Sequence, residues 1–103
     1  MTIRLVLTAS SVVDSIPTYS TTGGKNIFLG YRAGYSNITT VYGLFIGYKA
    51  GYSNIANGNT CIGHEAGYNT TTGVYNIFVG YRSGYLNVTG RYNLAFGYTS
   101  FYS

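Results

Sequence analysis

Short apolar runs recur along the chain between Ile27 and Phe96: IFL, LFI, TCI, IFV and LAF, each followed by Gly-Tyr or Gly-His and separated by stretches rich in Gly, Asn, Ser and Thr. Runs of this kind, dominated by β-branched and aromatic residues and bounded by Gly and Asn, predict strands of about four to six residues. Helices are excluded, because each interior glycine would cost about 1 kcal/mol. The GYSNITT, GYSNIAN, GYNTTTG and GYLNVTG segments between the runs predict a second short strand and a turn.

The pattern is a tandem repeat. Units begin at Asn26, Gly43, Asn59, Asn76 and Asn93, at spacings of 17, 16, 17 and 17 residues, and a match of Tyr19–Lys25 to the tail of the second unit extends the periodicity back to about residue 19. Two short strands and two corners in such a unit predict one coil of a parallel β-solenoid, with equivalent strands about 4.8 Å apart. The fold class is therefore all-β, a β-solenoid or β-roll of about five coils over residues 19–103. Residues 1–18 stand outside the repeat. Ile3, Leu5 and Leu7 alternate there with Thr2, Arg4 and Val6, a second strand is predicted at Val12 and Val13, and Pro17 breaks the pattern, so this segment is expected to cap the first coil or to exchange a strand with another subunit.

Stacking turns sequence columns into rows. Gly30, Gly47, Gly63, Gly80 and Gly97 form one corner row, and Gly34, Gly51, Gly67 and Gly84 a second that Phe101 ends. Tyr31, Tyr48, Tyr81 and Tyr98 form a ladder with His64 in third place, Tyr35, Tyr52, Tyr68, Tyr85 and Tyr102 an unbroken one, and Tyr42, Tyr75 and Tyr92 a third. In the strands both alternating faces are apolar, so both are expected to be buried. Phe28, Phe45 and Phe78 are expected on the face that meets another subunit.

Composition narrows the function. Only 8% of the residues are charged, with six basic and two acidic side chains, too few for a stripe that tracks nucleic-acid phosphates. No nucleic acid, membrane span, metal or cofactor is expected. Cys61 is the lone cysteine, so no internal disulfide exists. Cys61 and His64 have no orienting third group, which argues against a nucleophilic pair, and two candidate ligands do not make a zinc site. Glu65 falls between Lys49 and Arg82 in the row Arg32, Lys49, Glu65, Arg82. Sequons at Asn37, Asn69 and Asn87 lie on the turn side and are expected to be accessible to glycosylation in an exported chain.

The recurring Asn-x-x-(Ile/Leu/Val/Phe)-Gly-x-x-(Ala/Ser)-Gly pattern, as in Asn26 to Gly30 with Ala33, Asn59 to Gly63 with Ala66 and Asn76 to Gly80 with Ser83, resembles the head repeats of trimeric autotransporter adhesins and repeats of phage tail-fibre proteins. The resemblance implies a trimeric left-handed parallel β-roll used in extracellular attachment. Adhesin heads use slightly shorter repeats and a small residue where three phenylalanines stand here. Together the readings predict a non-enzymatic structural subunit of an extracellular, cell-surface or virion filament, associating with copies of itself as a lateral trimer or head to tail. The alternative is a receptor- or glycan-binding adhesion module.

Overall fold

The computed structural model describes residues 2–4 by their backbone, and residues 25–37 and 39–101 in full. Six strands form one parallel sheet in chain order: β1 (Thr2–Arg4), β2 (Asn26–Leu29), β3 (Leu44–Ile46), β4 (Thr60–Ile62), β5 (Ile77–Val79) and β6 (Leu94–Phe96). The register follows the repeat, with Phe28 opposite Phe45, Cys61 opposite Phe78, and Phe78 opposite Ala95. The chain is an all-β parallel solenoid, and β2 to β6 enclose about four complete turns. β1 pairs with β2, Thr2 opposite Asn26. The predicted strand at Val12–Val13, Pro17, and the onset of the repeat near Tyr19 lie outside the described residues.

β2 is four residues long and β3 to β6 three, at or below the short end of the expected range, because Gly30, Gly47, Gly63, Gly80 and Gly97 end these five strands at φ between 123° and 137°. A Cβ on Gly47 would stand 2.6 Å from the carbonyl oxygen of Gly63 in the next coil. Each corner continues as two consecutive turns, closed in the first coil by Ala33 N–H to Gly30 O (3.2 Å) and Asn37 N–H to Gly34 O (3.0 Å). The expected second strand is replaced by these turns. Residues at positive φ reverse the peptide direction too often for extended backbone, yet the amides still bridge coils: Lys49 N–H to Tyr31 O, Gly34 N–H to Ala50 O and Ser36 N–H to Tyr52 O span 2.8–3.0 Å.

The phenylalanines correct the expected orientation of the strands. Phe28, Phe45 and Phe78 do not form a subunit face; they fill the interior of this chain with Ala33, Ala50, Cys61, Ala66 and Ala95. Their inward direction follows from the second glycine row, since a Cβ on Gly51 or Gly84 would fall 2.5–2.9 Å from the ring atoms of Phe45 or Phe78. Opposite a glycine the narrow coil has room for one aromatic ring. Phe28 and Phe45 stack at 5.1 Å with nearly parallel planes. The outward rows are the aliphatic ones, and Ile27 and Ile77 are each 43% exposed.

A buried asparagine column holds successive coils together. Asn76 donates from Nδ2 to Gly90 O (2.8 Å), and its Oδ1 accepts from the Asn93 amide (3.0 Å). Asn59 makes the equivalent bonds to Gly73 and to the Asn76 amide, and Asn26 to Thr40 and the Gly43 amide. Each carboxamide thus joins its own corner to the next rung, satisfying backbone groups that the interior would otherwise strand.

Candidate functional site: an aromatic and cationic furrow

Just past each strand the chain presents a tyrosine, then a residue in left-handed backbone, then an inward small residue, a glycine and a second tyrosine. Arg32, Lys49, Glu65, Arg82 and Thr99 occupy the left-handed place, at φ 49° to 55°. For residues other than glycine this conformation costs about 1–2 kcal/mol each. It sends a long side chain outward between two aromatic ladders.

The two ladders beside this row are the first two of the three predicted. Tyr31, Tyr48, His64, Tyr81 and Tyr98 stack at 4.8–5.3 Å. Tyr35, Tyr52, Tyr68 and Tyr85 stack at 5.0–5.3 Å. In the third row Tyr75 and Tyr92 stack at 5.7 Å, while Tyr42 carries Lys25 over its ring. Tyr102 lies outside the described residues.

Between the first two ladders runs a furrow with a mostly cationic floor. The Arg32 guanidinium lies 5.1 Å from the ring centres of both Tyr31 and Tyr35, Lys49 Nζ lies 5.2 and 5.6 Å from Tyr48 and Tyr52, and Arg82 lies 5.4 and 5.1 Å from Tyr81 and Tyr85. Such contacts contribute about 0.5–1 kcal/mol each at exposed sites. Glu65 interrupts the row as its place predicts: Arg82 Nε donates to its Oε1 at 2.8 Å, and His64 Nε2 stands 3.4 Å from the same oxygen. At the last two rungs Tyr81, Arg82, Tyr98 and Thr99 line an open cleft.

The furrow keeps its cations charged. Partial desolvation lowers the Arg32 pKa, but Tyr31, Tyr35 and Tyr52 more than offset this and leave it raised. Lys49 is also raised, first by its hydrogen bond to Tyr48. Arg32 Nε is shielded from solvent and has no hydrogen-bond partner among the described residues.

Cys61 and His64 do not meet as a pair, because Cys61 points into the core while His64 stands in the outer ladder. Among the described residues no three His, Cys, Asp or Glu side chains gather as metal ligands. The sequons also depart from expectation. Asn37 is fully buried, and Asn87 is nearly so, with Nδ2 donating to Thr70 Oγ1 and Gly90 O. A carboxamide facing the interior leaves no path outward for a glycan, so these two are not accessible in the folded chain. Asn69 is half-buried and donates from Nδ2 to Tyr85 O at 2.8 Å.

Two features escaped the sequence reading. The asparagine column was visible as a recurring letter at 26, 59, 76 and 93, but nothing in its spacing revealed that it points inward. The left-handed backbone of the cationic row had no sequence signal, since Arg, Lys and Glu do not favour it. Comparison with protein-family models, curated proteins and solved structures finds no match for this chain.

Proposed function

We propose that the chain is a structural β-solenoid unit that associates end to end with its own copies in an extracellular filament or fibre. The observation that carries this is that each rung is covered by an equivalent one stacked on it in register, which the last described rung shows by contrast. Leu94, Phe96 and Tyr98 are 71%, 72% and 77% exposed, whereas Ile27 and Ile77 in the Leu94 column are at 43%. The difference is surface that a further coil covers in the earlier rungs. Among the described residues β6 has a neighbouring strand on one side only, and by the repeat the Leu94 amide holds the position from which Ile27 bonds Gly43 and Ile77 bonds Asn93. Such an edge is a template for another parallel strand.

Electron microscopy and concentration-dependent sedimentation test the reading. Leu94→Pro removes an edge donor while leaving the Ile77-to-Asn93 bond in place. Filaments from the parent chain and dispersed particles from a folded Leu94→Pro variant are the expected result. Parent material that remains monomeric at high concentration refutes it.

A second reading, a receptor- or glycan-binding module of an adhesin or tail fibre, draws on the furrow. The stacked ladders limit its form. Ring faces within them are covered by neighbouring rings, so hydroxyls and ring edges are what a ligand meets along the flank.

A further inference from the structure

We propose that the furrow between the two tyrosine ladders binds acidic polysaccharide, with the carboxylate or sulfate groups of an extended pyranose chain on Arg32 and Lys49. The inference rests on the second reading above, a glycan-binding furrow, and is independent of filament formation. It starts from an imbalance along the floor of the furrow. Arg82 is engaged by Glu65 at 2.8 Å, whereas Arg32 and Lys49, on adjacent rungs, have no ion pair among the described residues. Two like charges on adjacent rungs, whose backbones stand about 4.8 Å apart, repel each other, and an anion lying over both would relieve that repulsion. The chain holds them there in left-handed backbone, at φ 54° for each.

The walls select among polyanions. Tyr48 stacks between Tyr31 and His64, and Tyr52 between Tyr35 and Tyr68, at 4.8–5.3 Å, so beside Lys49 neither ring offers a free face for a nucleobase, and stacking is the main recognition mode for single strands. Phenol hydroxyls and ring edges bordering a charged floor instead suit a ligand with hydroxyls beside acidic groups. A sugar chain of that kind also lies along a straight furrow without bending. Glu65 divides the furrow and sets the strong end at Arg32 and Lys49.

Binding of heparin and of polygalacturonate, with dextran as the neutral control, tests the proposal in a salt series. Both acidic polymers should bind and dextran should not. Arg32→Gln and Lys49→Gln should each weaken binding severalfold and lower the slope of log affinity against log salt by about one. Glu65→Gln should strengthen binding by removing an acidic side chain from the cationic row. The decisive control is Arg91→Gln, which removes the same unit of charge from an exposed residue nine positions further round the coil and should leave affinity unchanged. All four side chains are at least partly exposed, and unchanged melting checks that each variant folds. An equal loss in Arg91→Gln would show a net-charge effect and overturn the proposal. So would dextran binding as well as the acidic polymers, or a single-stranded oligonucleotide binding more tightly than both at the same salt.

Discussion

Gly47 and Gly51 are four residues apart and are required for different reasons. At Gly47 the obstacle is backbone, since an added Cβ would press on the Gly63 carbonyl at 2.6 Å from a φ of 127° that side chains avoid. At Gly51 the left-handed φ of 60° is tolerable, and the obstacle is the Phe45 ring at 2.8 Å. Gly47→Ala should therefore cost about 3 kcal/mol or more, with no remedy from a second change. Gly51→Ala should recover much of its loss when combined with Phe45→Leu, a non-additivity that a double-mutant cycle in urea would measure. Cys61 gives a residue-scale prediction in pH. Burial raises its thiol pKa far above the ordinary value, so the unfolded chain releases that proton first. The stabilisation is complete below the usual thiol pKa of about 8.5 and falls as pH rises beyond it, by at most about 1.4 kcal/mol per unit. Above that pH the melting temperature of the parent should drop more steeply than that of Cys61→Ala, which shares every tyrosine. Parallel curves would show that Cys61 is not shielded.

A strand of three residues makes few bonds of its own, so a coil depends on what ties it to the next. Asn76 does this with one side chain, joining the Gly90 corner to the Asn93 amide. Asn76→Ala should cost about 1–3 kcal/mol, because it leaves the part-buried Asn93 amide without its acceptor and Gly90 O with the longer bond from Asn87 alone. Asn76→Asp keeps the acceptor and loses the donor, so it should be destabilised at neutral pH and partly restored as the carboxyl protonates, which thermal melts at pH 4 and pH 7 would resolve. The same element shows what could be read beforehand. Period, parallel stacking, both glycine rows and both tyrosine ladders follow from the spacing of Gly30, Gly47, Tyr31 and Tyr35, because in a solenoid sequence columns are spatial rows. Direction did not follow. With Ile27, Phe28 and Leu29 all apolar, alternation cannot tell inside from outside, and the orientation is set by Gly34 on the far wall, which leaves space for a ring. The asparagines were equally ambiguous, since Asn26 reads as a strand boundary and Asn37 as part of a turn segment, and both are buried.

On the scale of the whole molecule, the informative departure is at the last rung, where two columns exchange their bulk. Inner rungs, that of Cys61 apart, place Phe at the strand centre and Gly in the left-handed turn, as in Phe78 and Gly84; the last places Ala95 and Phe101 there, with Phe101 keeping the left-handed φ at 52°. Phe78 is fully buried although only an alanine follows it in its column, and the Phe101 ring lies 6.1 Å from it, tilted by 32°. Phe101 thus closes the core from the turn side. Phe101→Gly alone should open that end and cost about 2–4 kcal/mol, and Ala95→Phe alone should crowd the space Phe101 already uses. Together they rebuild the inner pattern and should regain most of the loss. The exchange also bears on assembly. A double variant whose last rung matches an inner one offers a flat end for another coil, whereas the parent presents a half-exposed ring at that place. If copies join through this end, the double variant should elongate at a lower protein concentration than the parent, as light scattering and microscopy would show. If assembly is unchanged while stability follows the predicted cycle, Phe101 seals the core and the junction between copies lies elsewhere.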